Sequence, residues 1–213
     1  QGKKIYEDYW FGQYGTYKAI DHGMFNKLDI YETLFLIKHS VLHVQGQDFS
    51  SIMKYAVKRR ADFPKLYSVY CDWRERGYVV KSGFKFGTHF RVYFPGARAI
   101  RVAHSVRKTF ILAIPGKSRQ KNLDVDFLLY HRKGSGVEQP GKDYPKYAML
   151  SFGEEEFIGG SELSASINGA KKLGCQAIIA IADRESSVTY YKAKRIELPG
   201  SDYEYYEIDW MQP

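Results

Sequence analysis

The chain of 213 residues is long enough for one large domain or two small ones, and it can bury a sizeable core without disulfides or metals. Its composition, 44% hydrophobic and 26% charged, argues against disorder, and no apolar run approaches the roughly 20 residues that a membrane helix needs. Two cysteines, Cys71 and Cys175, are too few for a disulfide scaffold or a cysteine-based zinc site, which favours the reducing cytoplasm.

Positive charge is concentrated in the first part of the chain. Residues 1–120 hold 21 Lys and Arg against 9 Asp and Glu, a net charge of +12, whereas residues 121–213 hold 11 against 15, a net charge of −4. A basic half favours a polyanionic partner, most often a nucleic acid, with a solubilising surface as an equal alternative. Some of the 18 tyrosines could then stack on unpaired bases.

Helices dominate the predicted elements of the first third. Residues 5–28 are rich in Tyr and Gly and predict short strands and turns, and helices follow at 29–40, 50–60 and 64–77. Asp29 is placed to cap the first helix, and Pro64 suits the first turn of the third. The predicted buried stripes are Ile30, Leu34, Ile37 and Val41 in the first helix and Leu66, Val69, Tyr70 and Trp73 in the third. The run Lys58–Arg60 is interpreted as helix-end cations on the dipole, with an RNA contact as the alternative.

Strands dominate the rest. They are predicted at 78–80, 84–94, 110–114, 125–131, 146–152, 177–182 and 188–195, with an edge strand in the tail and helices at 99–108 and 161–172. The segment 126–130 echoes 89–93, which indicates two copies of one α/β unit joined by a basic Pro-Gly loop. The predicted domains are 1–62, a unit at 63–114, a linker at 115–122 and a second unit at 123–213.

Several ordered motifs carry a family resemblance. They are Arg76–Gly87 with His89–Tyr93, then Arg101–Lys108, and in the second unit Lys146–Leu150, Ala180–Asp183 and Val188–Tyr191. Together they resemble the archaeal tRNA-splicing endonucleases over nearly the whole chain. The resemblance implies an α+β fold, with a small N-terminal α/β domain followed by two tandem mixed-sheet units of the restriction-endonuclease-like nuclease fold.

The same resemblance implies an activity and partners. It points to a metal-independent, cofactor-free endoribonuclease that cuts precursor tRNA at a bulge–helix–bulge motif and leaves 2′,3′-cyclic phosphate and 5′-hydroxyl ends. The first unit would be catalytic and the second a degenerate structural unit. We expect a cytoplasmic homodimer, or an assembly with further endonuclease units, without a membrane partner.

Two residues are implied to be catalytic. Tyr93 matches the family tyrosine and is the candidate base, and Lys108 matches the family lysine and is the candidate cation for charge on the phosphate. The alternative for Tyr93 is a surface strand tyrosine, and for Lys108 a lysine on a helix dipole.

Four further residues are implied to bind RNA or a neighbouring unit. Arg101 and Tyr190 match the positions that hold a flipped-out base. Their alternatives are a surface salt bridge for Arg101 and sheet packing for Tyr190. Asp183 and Glu185 match an acidic loop that docks into a basic cleft of a catalytic neighbour.

The chain departs from the family in its acid. No strand with the family histidine lies between Tyr93 and Lys108, and His89 and His104 are not at the matching position. We expect that segments are missing from the chain near 93–100 and 112–123, and the start at Gln1 suggests a piece of a longer protein.

Two rival functions remain. A non-catalytic RNA-binding subunit fits the missing acid. A metal-dependent DNA nuclease would need paired carboxylates near a lysine, for which Asp124 and Asp126 are the candidates.

Overall fold

A computed structural model of the chain describes residues 1–16, 23–83, 88–97, 126–129 and 145–213. The helices in these residues are α1 (Gly2–Tyr9), α2 (Ile30–Lys38), α3 (Phe49–Arg59), α4 (Phe63–Glu75) and α5 (Gly160–Lys172). The strands are β1 (Gln13–Gly15), β2 (Phe25–Lys27), β3 (Val79–Ser82), β4 (Phe90–Tyr93), β5 (Phe127–Leu129), β6 (Tyr147–Gly153), β7 (Gln176–Ala182), β8 (Val188–Ile196) and β9 (Tyr205–Met211).

Seven strands form one mixed sheet in the order β3-β4-β5-β6-β7-β8-β9. The pairs β4–β5 and β6–β7 are parallel and the other neighbours are antiparallel. Strands β1 and β2 form a separate two-stranded ribbon. The α+β class is therefore confirmed, and β9 is the predicted edge strand of the tail.

Alternation along the strands gives the sheet two buried faces. One, the α4 face, packs on α4 and its neighbours α2 and α3, and its members include Val80, Phe90, Val92, Phe127, Ile178 and Tyr190. The other, the α5 face, packs on α5 through residues that include Leu128, Ala148, Ile179 and Ala193. At the β3 end of this second face, Val79 and Tyr93 lie against Trp10 instead.

Four of the five predicted helices are confirmed, and the fifth, at 99–108, lies outside the described residues. Asp29 caps α2 through a capping box with Glu32, Pro64 lies in the first turn of α4, and all four predicted inner residues of α4 are buried. In α2 only one residue of the predicted stripe, Leu34, is fully buried; Tyr31 and Leu36 join it, and Val41 is 58% exposed beyond the end of the helix.

Residues 2–9 form a helix where short strands and turns were predicted. None of its residues is fully buried, and Tyr6 packs partly buried against the cluster of Trp10 and Tyr93. Tertiary hydrogen bonds also hold it, because the Asn26 side chain donates to the Gly2 and Phe11 carbonyls at 3.0 and 3.1 Å. The left-handed conformation of Trp10 (φ 52°) then ends it.

One hydrophobic cluster spans the predicted boundary between residues 62 and 63. Leu34 and Ala56 on one side of it pack with Phe63, Leu66 and the α4 face on the other. The linker at 115–122 lies outside the described residues, so the domain division stays a prediction.

A buried ion pair joins α2, β3 and the segment Trp10–Gly12. Lys81 Nζ lies 2.5 Å from Glu32 Oε1 and donates to the carbonyls of Trp10 and Gly12 at 3.1 and 3.0 Å, which uses all three of its protons. The Gly12 N–H donates to the same carboxylate oxygen at 2.9 Å. Both charged side chains are below 10% exposed, so their attraction is little screened by water.

Gly12 lies close against Asn26 and Lys27. Its φ of +75° is left-handed, and a Cβ at this position would lie 2.9 Å from the Lys27 carbonyl oxygen. Only a residue without a side chain fits there, because both the conformation and the space exclude one.

We expect Lys81→Met to destabilise the protein by about 3–5 kcal/mol, because it leaves the Glu32 carboxylate buried and unpaired. The matched control is Lys38→Met, which breaks an exposed Lys–Glu pair at 2.9 Å and should cost about 0–1 kcal/mol. Denaturant unfolding of the two variants measures both. Equal losses of stability in the two variants would show that the buried ion pair contributes no more than the exposed one.

Asp29 makes stability depend on pH. Burial, with the nearby Glu32 carboxylate, raises the pKa of Asp29 from 3.8 to about 6. A raised folded-state pKa contributes stability that is present below about pH 4 and lost as the pH rises through 6. Asp29→Asn keeps an oxygen for the N-cap bond, so wild type should lose about 2–3 kcal/mol relative to this variant between pH 4 and 7.

Asp48→Asn is the control, because Asp48 caps α3 by the same kind of bond to Ser51 N (2.7 Å), while hydrogen bonds with the Ser51 side chain and backbone lower the pKa of Asp48. Wild type should lose nothing relative to Asp48→Asn in the same window. Urea unfolding of wild type and of both variants across this pH range measures the two differences. The same pH dependence of stability in Asp29→Asn and Asp48→Asn would contradict the raised pKa of Asp29.

Candidate functional site

Tyr93 lies at the end of β4, on the α5 face and opposite Val79 of β3. Its ring packs on Trp10 with the ring centres 5.2 Å apart, and the residue is only 4% exposed. The segment that Lys81 and Glu32 hold in place therefore covers this tyrosine. A ribose can reach the phenol only after the groups that cover it move aside.

Arg91 is the charged neighbour of Tyr93, two residues back on the same face of the strand. Its guanidinium carbon lies 5.6 Å from the Tyr93 ring centre, and its Nε donates to the Ser82 carbonyl at 3.3 Å. Burial raises the pKa of Tyr93, and the charge and hydrogen bond of Arg91 act in the opposite direction. Arg91 thus favours the phenolate, which is the form that a base needs. The sequence places Arg91 on this strand without indicating a role for it; its spacing from Tyr93 is the signal that could have found it.

The structure does not test the partners predicted for Tyr93. Lys108 and Arg101 lie outside the described residues, so the distance from the Tyr93 phenol to either cation stays open. Asp124, one of the carboxylates of the metal-nuclease alternative, also lies outside them.

Tyr190 is a core residue on β8. It is 1% exposed on the α4 face, its ring packs edge-on against Trp73 at 5.6 Å, and its hydroxyl donates to Asp72 at 2.6 Å. In this structure Tyr190 therefore packs against the sheet, which is the alternative that was predicted for it. Tyr93 and Tyr190 lie on opposite faces and four strands apart, about 19 Å at normal strand spacing, so one chain does not bring them together.

The acidic loop candidates lie in the turn between β7 and β8. The Asp183 carboxylate accepts a hydrogen bond from the Ser187 N–H at 2.8 Å, which stabilises the turn, while Glu185 is exposed. Arg184 ties the turn to the acidic run after β6 by ion pairs to Glu154 (3.2 Å) and Glu155. The hydrogen bond and the ion pairs thus stabilise this turn, and the Glu185 side chain on it is exposed.

His89 lies at the opposite end of β4 from Tyr93, about 13 Å away along the strand. Its Nδ1 is 2.9 Å from Asp126 Oδ1 and its Nε2 is 2.7 Å from the Arg60 guanidinium. This network suits a neutral ring that donates from Nδ1 and accepts at Nε2. The second oxygen of Asp126 accepts the Ser151 N–H at 2.8 Å.

The repeat seen in the sequence has a counterpart in the sheet. Segments 89–93 and 126–130 resemble each other, and their strands β4 and β5 lie side by side in parallel, with Phe90 opposite Phe127. In the described residues no group of three or more His, Cys, Asp and Glu side chains could hold a metal ion. Their helices are also all too short or too polar to cross a membrane.

Comparison with known proteins matches the sequence of this chain to one family. The family model of the tRNA intron endonuclease catalytic C-terminal domain matches residues 63–98, a stretch that contains Tyr93. The chain is 36% identical to the tRNA-splicing endonuclease of Methanopyrus kandleri over 140 residues (52% of this chain, 76% of the relative) and 31% identical to that of Pyrococcus abyssi over 152 residues (53% and 89%). It is 37% identical to that of Hyperthermus butylicus over 119 residues (42% and 66%).

The chain therefore belongs to the tRNA-splicing endonuclease family. The predicted resemblance is confirmed over about half of the chain, 53% in the longest of these matches, rather than over nearly the whole of it.

Proposed function

We propose that this chain is an endoribonuclease that excises introns from precursor tRNA in the cytoplasm. The observation that carries the proposal is the match of residues 63–98 to the catalytic domain of the family, because it includes the strand that ends at Tyr93. The relatives are named for tRNA splicing.

The proposed reaction is an internal phosphoryl transfer. Tyr93 takes the proton of the ribose 2′-hydroxyl, the 2′-oxygen bonds to the adjacent phosphorus, and the bond from phosphorus to the 5′-oxygen breaks. An acid protonates that leaving oxygen, so the products are a 2′,3′-cyclic phosphate and a 5′-hydroxyl. Lys108 stabilises the charge on the phosphate oxygens. Arg91 supports this assignment because it favours the phenolate form of Tyr93.

The proposed substrate contact is a bulge–helix–bulge RNA, held by a homodimer of two-unit chains. Such an RNA presents two cuts, and the separation of about 19 Å between Tyr93 and Tyr190 suits residues that serve different sites. Arg101 and Tyr190 would hold the bulge base, which requires the hydroxyl of Tyr190 to leave Asp72. Asp183 and Glu185 would dock on a neighbouring catalytic unit. The hydrogen bond that stabilises the turn carrying them supports this role.

A non-catalytic RNA-binding subunit is the alternative, favoured by the 4% exposure of Tyr93. Cleavage of a bulge–helix–bulge RNA by the purified chain in EDTA decides between the two. We expect cutting with EDTA present. Cutting only after Mg²⁺ is added would favour the metal nuclease, and RNA binding without any cutting would favour the subunit.

We expect Tyr93→Phe to slow single-turnover cutting by about 10²–10⁴-fold and Lys108→Ala by about 10²–10³-fold, with RNA affinity nearly unchanged. Tyr9→Phe and Lys4→Ala are matched controls, because both residues are exposed on α1. A native rate in either catalytic variant would contradict the role of that residue.

A further inference from the structure

Helix α3 differs in charge from the other helices that the structure describes. The helices α1, α2, α4 and α5 each contain at least one Asp or Glu, whereas α3 contains none over Phe49–Arg59. Its cations Lys54, Lys58 and Arg59 are all exposed. None of the three forms an ion pair with any residue in the described ranges.

The neighbouring helices neutralise their own surface cations. Lys38 at the end of α2 pairs with Glu75 of α4 at 2.9 Å, and Lys65 of α4 pairs with Glu156 at 2.7 Å. The positive charge on α3 is therefore a local property of this helix. A helix dipole accounts for cations in the last turn, such as Lys58 and Arg59, but its effect does not extend to Lys54.

The exposed side of α3 also carries an aromatic ring. Tyr55 is 53% exposed, and the Arg59 guanidinium carbon lies 4.8 Å from the centre of its ring. Residues four apart lie on one helix face, so Lys54 with Lys58 and Tyr55 with Arg59 form two adjacent pairs. The cation–π contact holds the guanidinium in place before any partner arrives.

The other side of α3 is fixed to the protein. Ala56 is buried, and Phe49, Ile52 and Met53 pack against the core of the α4 face. At the C-terminal end of the helix Arg60 is paired with Asp62 and contacts His89, which fixes this end as well. The helix that carries the exposed cations is therefore held against the protein core.

We propose that the exposed face of α3, formed by Lys54, Tyr55, Lys58 and Arg59, binds the phosphate backbone of double-helical RNA in the substrate. The argument is charge complementarity, because three exposed cations that form no ion pair in the described residues lie on one fixed face and match a polyanion. This rests on the proposed function for the identity of the RNA. It assigns substrate binding to a helix outside the residues that match the catalytic family model.

The test is the salt dependence of binding to an RNA duplex of about 20 base pairs, measured by fluorescence anisotropy for wild type and for Lys54→Ala/Lys58→Ala/Arg59→Ala. Each lost phosphate contact should reduce the steepness of the plot of log affinity against log salt by roughly 0.7–0.9. The triple variant loses three contacts, so its slope should be smaller in magnitude than that of wild type by about 2–3. Its affinity at low salt should fall about tenfold or more.

The matched control is Lys4→Ala/Lys171→Ala/Lys172→Ala, which removes three exposed cations from helices α1 and α5 and leaves α3 intact. It should change the slope by less than about one. Equal slopes for the two triple variants would overturn the proposal.

Two further measurements distinguish RNA binding by α3 from self-association and from catalysis. Loss of self-association in the α3 variant with unchanged RNA affinity would overturn the proposal and point to a second copy of the chain as the partner. The single-turnover cutting rate at saturating RNA should stay at the wild-type value. If the wild-type chain cuts no RNA, the proposed function is wrong. The salt dependence of binding would still test whether α3 binds RNA.

Discussion

The ion pair between Lys81 and Glu32 determines how the first part of the molecule is assembled. It joins α2, β3 and the segment at Gly12 in one network, although its two charges are 49 positions apart in the chain. Removing two charges from water costs energy, and the pair is stable only because the backbone groups of Trp10 and Gly12 complete the hydrogen bonding. The same network brings Trp10 over Tyr93, so the geometry of the candidate site follows from it.

This arrangement gives Tyr93 two opposing influences. Its cover excludes water and keeps the phenol protonated, whereas Arg91 on the same strand favours the phenolate. The proposed role of Tyr93 as a base therefore requires that the groups covering it move aside when the substrate binds. Burial of Tyr93 is thus compatible with catalysis, provided that substrate binding and opening of the site occur together.

The sequence predicted the elements whose pattern is local. Helix α4 and the strands β6 to β9 follow from apolar spacing, and Asp29 is a recognisable cap. Helix α1 was missed because the Tyr- and Gly-rich residues 5–28 predict short strands and turns, whereas Asn26, far along the chain, holds the first residue of the helix. The burial of Lys81 had no local signal either, since it depends on a partner that only the fold brings near. Family resemblance supplied Tyr93, but its covered environment required the structure.

The continuity of the sheet has a consequence for how the molecule comes apart. Strands from both halves of the chain share one ladder, and the parallel joint between β4 and β5 lies in its interior. An interior joint cannot separate without exposing backbone donors and acceptors on both sides. Heating should therefore melt the halves together, as a single calorimetric transition, even if their ancestry is that of two duplicated modules.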